Sequence, residues 1–509
     1  MNIGYVVGES TPSSVMTITS STLAVGKYVI IGSGTDKLLG LVEHSKVSSS
    51  AMDDAKDYHS AQEATKVASM DLRDKGYASK IMLLGTLDTL QKEKPRLPDI
   101  PPEPGTAIYE AKSKDLEGIF GPNGEKWIRV GSLLRDAQTV VKIDVNKIIS
   151  RHLGILAMTG MGKSNLVSLL AKRIGQLNGT VVIFDYHDDY ASLGMQGVNS
   201  LEARINPRLL DPESLSEVLE IRDNATVQQR IVRMAFTAQV RKSGNFWVAL
   251  DGQVDLISNT EEKNRREYMH SGRRVRDKIE DARRNYSDIF DPGIIDPVSL
   301  IREGRINVIS VSSLTEKQAN VAVSHYLQEI LADRKKSTRS AYSGSKESST
   351  VRFSLPIMVV LEEAHVFIPK GEDTRAKYWA ARIAREGRKF GIGLAVISQR
   401  PRSIDPMILG QMGSLAVMRL VQQDDQGQVA SSTESISEGL IKQLASLNVG
   451  DALLVGQWVR LPSAVHIDAV PEKIAGYDHD AVSQWNIAKE YEKTSSVSTQ
   501  NLIRQDMMD

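Results

Sequence analysis

The sequence contains no cysteine. That excludes a disulfide framework, a zinc ribbon and thiol catalysis. Neither charge is in surplus, with 63 Lys+Arg against 63 Asp+Glu, so any surface that attracts a polyanion must be local. Long apolar runs are missing as well: no stretch approaches the ~20 residues that a membrane span needs. The opening MNIGYVVGESTPSS has no basic segment leading into an apolar core, and does not read as a targeting signal. These absences predict a soluble, cytoplasmic chain with no membrane partner. No internal repeat is found. What is present is an ordinary globular composition, 41% apolar and 25% charged over 509 residues. A single hydrophobic core does not grow to that length, so roughly two to four domains are expected.

Residues 1–100 are rich in short β-branched runs (YVVG, SVMTITS, KYVIIGSG, LLGLVEH, SKIMLLGTLD) split by Gly and Ser. Strands at this spacing predict a small barrel. LPDIPPEPG, Leu97 to Gly105, is a stiff Pro-rich connector and the best boundary in the chain. Beyond it stand HLGILAM, TVVIFDY, INVISVSS, IMVVLEE, GLAVISQ and SLAVMRL. Runs apolar on both faces suit a parallel sheet buried between helices, so an α/β doubly wound core is expected. That core divides into 106–207 and 301–475, with a charged helical module inserted at 208–300 and a tail at 476–509 whose end is expected to be disordered. Lys335 to Thr350 reads as a mobile Ser-rich loop.

Ile155 to Asn165 reads ILAMTGMGKSN, between a strand (HLGILAM) and a helix (SNLVSLLAKRIG). That is the setting of a phosphate-binding loop, in which successive backbone N–H groups and a helix N-terminus receive the anion. Thr159, Gly160, Met161, Gly162, Lys163, Ser164 and Asn165 are the candidate ATP-binding residues; Lys163 would reach the β- and γ-phosphates and Ser164 would ligate Mg2+. Ala157 stands where the motif has its first glycine, at the strand end, where a methyl group can be tolerated.

Hydrolysis needs more than the loop. PIMVVLEEAH, Pro356 to His365, is a buried strand ending in two carboxylates. Glu362 is the candidate metal support and Glu363 the candidate base for a water nucleophile, a pairing that favours a hydrolase over a kinase. Gln399 ends another run and is placed to sense the γ-phosphate. Asp185, ending VVIFD, would join the same edge.

Two segments are locally basic. Arg382 to Arg402 holds six basic residues against one acid, Glu386. An arginine from here would cross a subunit interface to stabilise charge on the transferring phosphate; a solvated helix face is the alternative. Asn264 to Tyr286 holds eight Lys/Arg against four acids, a composition suited to phosphate-backbone contact or to plain solvation.

Taken together, GLVEH, IDVNKIISRHLGILAMTGMGKSN, FDYHDDY, VVLEEAHVFIP, ARIAREGRKFGIGLAVISQRPRSID and LNVGDALLVGQWVRLP make the chain, up to about Pro471, resemble the HerA family of FtsK-like motor ATPases. The resemblance implies an N-terminal β-barrel, a RecA-like P-loop core and a homohexamer around double-stranded DNA. It also implies work with a NurA-like nuclease in processing DNA ends for recombinational repair, mostly in archaea. By motif position it assigns Lys163 and Ser164 to nucleotide and Mg2+, Glu362 and Glu363 to metal and water, and Gln399 to the γ-phosphate. Arg151 matches an arginine that reaches nucleotide or a neighbour, and Arg388, then Arg385, are the choices for an arginine acting in trans. A DNA pump of conjugation or segregation would share the motor but normally adds membrane segments or a winged DNA-reading domain. A nucleotide-switched scaffold for a nuclease would leave the acids idle.

Overall fold

The computed structural model describes residues 2–472 except 33–36, 71–73, 93–95, 191–196, 223, 261–263, 286–288, 295, 344–350, 434–435 and 437, together with 482 and 485. The tail expected at 476–509 lies almost wholly outside the described residues.

Six strands close the N-terminal barrel: β1 (Asn2–Ser10), β2 (Ser14–Thr19), β3 (Tyr28–Ile31), β4 (Leu38–Ser49), β5 (Lys75–Thr86) and β6 (Ala107–Glu110), in spatial order β1-β2-β5-β4-β3-β6. Val6, Val15, Val29, Ile31, Val42, Ile81, Leu83 and Ile108 fill it. The boundary expected at the Pro-rich connector is corrected here. β6 follows the connector and pairs with both β1 and β3, so residues 97–105 cross the barrel rather than leave it. Without β6 those two strands would be unpaired edges.

A second sheet has eleven strands. They are β7 (Trp127–Leu133), β8 (Asp136–Asp144), β9 (Leu153–Leu156), β10 (Thr180–Asp185), β11 (Val198–Glu202), β12 (Ile306–Ser310), β13 (Ile357–Leu361), β14 (Ile392–Ser398), β15 (Ser414–Val417), β16 (Asp451–Gly456) and β17 (Ser463–Ile467). Their order is β11-β12-β10-β13-β14-β9-β15-β16-β17-β7-β8. The first seven in this order are mutually parallel, and β16, β17, β7 and β8 extend the sheet antiparallel. Every residue of β9, β10, β12, β13 and β14 is buried, which is why those runs lack alternation. This is an α/β P-loop core.

Between Glu202 and β12 the described residues form helices, among them Pro212–Val218, Thr226–Ala235, Phe246–Thr260 and Arg265–Asn285. The last two cross closely at Gly272, where a Cβ would stand 1.8 Å from Ser258 Oγ. The Ser-rich loop expected from Lys335 needs a second correction. The helix Glu316–Ser343 runs through its first half, fastened by Arg334 to the Phe390 and Phe353 carbonyls and by Lys335 to Glu386. Residues 344–350 lie outside the described residues. The barrel packs on the core through Tyr28, whose hydroxyl donates to the Pro462 carbonyl at 2.9 Å and whose ring lies 4.9 Å from that of Phe120.

Candidate active site

Parallel register brings four strand ends to one edge. Phe184 pairs with Leu361, Leu361 with Val396, and Ser398 with Leu156. One residue further along each strand stand Asp185, Glu362, Gln399 and Ala157. Ligands of open α/β sheets bind at this carboxyl edge.

The loop leaves β9 through Ala157, whose N–H donates to the Ser398 carbonyl at 3.2 Å. Ala157 is fully buried and is not among the described residues with positive φ, so its backbone never asks for glycine. Gly160 and Gly162 do, at φ 77° and 105°, where a side chain would be strained. The helix Lys163–Gln176 then begins. Lys163 Nζ turns back over the loop to the Ala157 carbonyl at 3.3 Å, and burial lowers its pKa against the pull of Glu363, Glu362 and Asp189. Thr159 Oγ1 donates to Gln399 Oε1, joining loop and neighbouring strand. The Met161 carbonyl accepts from Gly450 N–H. Asn165 departs from its expected role. Its amide donates to the Asp468 carbonyl and accepts from Val470 N–H, both at 3.0 Å, so the side chain ties the helix to the chain after β17 instead of facing a phosphate.

The two glutamates have different surroundings. Glu362, 4% exposed, accepts from the Tyr186 and His187 N–H groups at 2.8 and 3.3 Å. Asp185 accepts from Asp189 and Tyr190 N–H. Burial, then mutual repulsion, pushes the Glu362 carboxyl up, and burial pushes Asp185 up beside it, so ionising both at once is disfavoured. A crowded pair of hard oxygen donors fits Mg2+, whose charge would favour the ionised carboxylates. Among the described residues no preformed cluster of three or more acidic, His or Cys ligands exists.

Glu363 leaves the strand in the left-handed region, at φ 43°. Burial alone would raise its carboxyl, but His365, Lys163 and His187 hold it below the usual range. His187 Nε2 is 3.9 Å from Oε1, and His365 Nδ1 is 3.2 Å from Oε2. Oε2 nevertheless has no aligned hydrogen-bond donor among the described residues; His365 Nδ1 aligns on Ser398 Oγ, also at 3.2 Å. Sequence reading passed over both histidines. Their only signal was position, His365 two residues past Glu363 and His187 two past Asp185.

The arginines lie at the other edge. Arg385 ends the helix Arg375–Glu386, and Arg388 lies in the turn Gly387–Phe390 that precedes β14. The seven residues of β14 span about 20 Å, which separates that turn from Gln399. Arg151 likewise ends the helix Val145–Arg151 before β9, a strand's length from its own loop. Arg385 and Arg388 are exposed, and neither pairs with a carboxylate among the described residues. Arg382 differs, lying over the Trp379 ring and near Glu386. In the helix Arg265–Asn285, Arg276 is spent on Asp251 and Asp255, and Arg283 and Arg284 on Glu280. Arg265, Arg266, Arg273 and Arg274 remain exposed.

Among the described residues no helix is long and apolar enough to cross a membrane. Residues 128–330 match the profile of the family described as "Helicase HerA, central domain". The chain is 38% identical to the DNA double-strand break repair helicase HerA of Sulfurisphaera tokodaii, over 96% of this chain and 97% of that one. It is 35% identical to the protein of the same name from Saccharolobus solfataricus, over 97% of both. Among solved structures, VirB4 of Thermoanaerobacter pseudethanolicus is similar at TM-score 0.49 and 15% identity, over 69% of this chain and 99% of that one. With near-complete relatives above 30% identity and a matching central domain, the chain belongs to the HerA helicase family.

Proposed function

We propose that this chain is an ATP-driven motor on double-stranded DNA, acting in double-strand break repair as its relatives' names describe. One observation carries the reading: a phosphate loop and a buried Glu363, its carboxyl held below the usual range by neighbouring cationic groups, meet at one sheet edge. Lys163 and the loop N–H groups hold the phosphates, and Glu363 takes a proton from the attacking water. Mg2+, held by Ser164 with Glu362 and Asp185 near it, would neutralise charge developing on the phosphates. Gln399, tied to Thr159, reads the γ-phosphate.

Arg388, with Arg385 and Arg151 beside it, serves the loop of a neighbouring copy, since all three lie a strand's length from their own. That requirement supports a ring, which we take to be a homohexamer around the duplex, in the cytoplasm, with a NurA-like nuclease as partner in resecting ends. ATPase activity with and without duplex DNA tests the motor: turnover should rise several-fold with DNA, and Glu363→Gln should bind ATP yet hydrolyse it at least ~100-fold slower. Turnover indifferent to DNA would favour a nucleotide-switched scaffold.

A further inference from the structure

We infer that His365 is a positioning residue for Glu363, linking that carboxylate through Ser398 to the phosphate loop. This rests on the reading of Glu363 as the base and adds the device that aims it.

Among the described residues Glu363 Oε2 is buried without an aligned donor, and His365 Nδ1 is 3.2 Å away. One Nδ1–H serves one acceptor at a time. Ser398 Oγ is the aligned partner, also 3.2 Å away, and it is the acceptor in the tautomer that carries hydrogen on Nδ1. A small turn of the ring exchanges one acceptor for the other. Ser398 is itself held from two sides. Its Oγ accepts from Arg400 N–H at 2.9 Å, and its carbonyl accepts from Ala157 N–H at the root of the loop. Its neighbour Gln399 is bonded to Thr159 within the loop. A displacement of Gln399 or Ala157 by a phosphate is therefore felt at Ser398 Oγ. The His365 hydrogen then passes to Glu363 and fixes the carboxylate rotamer. Glu363 needs such a constraint, because its left-handed backbone places it beyond the β13 ladder. His187, at 3.9 Å and half exposed, is too distant to supply it.

The experiment compares His365→Ala, His365→Asn, Ser398→Ala and Glu363→Gln in the full chain. Single-turnover ATP hydrolysis, affinity for a slowly hydrolysed ATP analogue, and thermal unfolding are measured for each. His365→Ala should lower the hydrolysis rate about 30-fold with analogue affinity unchanged, the pattern of a misaimed catalytic group. His365→Asn keeps an amide N–H near the Nδ1 position and should recover to within about threefold of wild type. Ser398→Ala should fall between them. His365→Ala should add nothing to Glu363→Gln, because the two act as one unit. Multiplying losses, an asparagine no better than alanine, or analogue affinity falling in step with rate would each overturn the assignment. If His365→Ala unfolds early, His365→Asn and Ser398→Ala decide the matter by the same criteria. Near-normal turnover in Glu363→Gln would sink the base reading itself; an inert Glu363→Gln beside an unimpaired His365→Ala would sink only the inference.

Discussion

His152 gives its one ring proton to Ala384, with Nε2 3.0 Å from that carbonyl, and uses Nδ1 to accept from Leu394 N–H at 3.0 Å. The imidazole thereby fastens the end of the Arg375–Glu386 helix to β14, from a backbone held at φ 64° just ahead of β9. Burial lowers its pKa to about 4 from 6.5. The native state therefore binds fewer protons than the unfolded chain between those values. This contribution to stability is whole above about pH 6.5, falls as pH drops toward 4, and is flat below. The loss across the window is on the order of 3 kcal/mol. Thermal unfolding at pH 7.5 and 4.5 should show a larger acid-induced drop for wild type than for His152→Asn. Equal drops would mean that His152 titrates normally.

Ala157→Gly should change ATP affinity by less than ~1 kcal/mol, the order of a Gly/Ala backbone effect. The residue is buried and needs no positive φ. Equilibrium binding of a fluorescent ATP analogue would decide it, and a tenfold gain would show a loop weakened by the methyl group.

Arg388→Ala subunits keep an intact loop, and Lys163→Ala subunits keep intact arginines. Each alone should lose at least ~1,000-fold in ATPase, the low end of what an arginine supplied in trans contributes. Mixed one to one, about a quarter of head-to-tail contacts would join a good arginine to a good loop, and activity should return in that proportion. No recovery from mixtures that assemble normally would remove Arg388 from the role; Arg385 and Arg151, at the same edge, are the next to exchange.

Arg375 reaches from the start of its helix to Asp211 and Glu217, both at 3.0 Å, and so clips the helical module to the core. Its fork makes both contacts at once, which a lysine cannot reproduce. Arg375→Ala and Arg375→Lys should each cost about 1 kcal/mol in urea unfolding, a figure kept small because the carboxylates are partly solvated. A lysine as stable as the arginine would reduce the bridge to simple charge attraction.

The parallel strands were legible because burial on both faces leaves unbroken apolar runs, as in TVVIFD and IMVVL. The positions of Lys163, Glu362, Glu363 and Gln399 followed from where those runs end. The barrel boundary did not follow. Ala107–Glu110 is only four residues long, and its pairing is set by distant β1 and β3, not by any local pattern. The helix through Lys335–Ser343 escaped for a similar reason, since contacts from Arg334 and Lys335 override a composition that reads as loop. Asn165 looked like a phosphate contact because its partners, Asp468 and Val470, lie about 300 residues away along the chain. His365 was hidden in the same way: its relation to Ser398 exists only once β13 and β14 lie side by side.

A parallel sheet has two unlike ends, and here the loop stands at one and the exposed Arg385 and Arg388 at the other. A surface that receives and a surface that donates can meet across a two-fold axis only reciprocally, through one interface that spans both ends of the sheet. If the arginines act in trans through a surface separate from the one that carries the loop, the contact is heterologous, passing from copy to copy in one direction. Such contact either closes on itself or grows as a helix, and the choice rests on the angle between successive copies, not on the chemistry of the site. An open string of any length would always leave one loop without arginines at one end, and one set of arginines without a loop at the other.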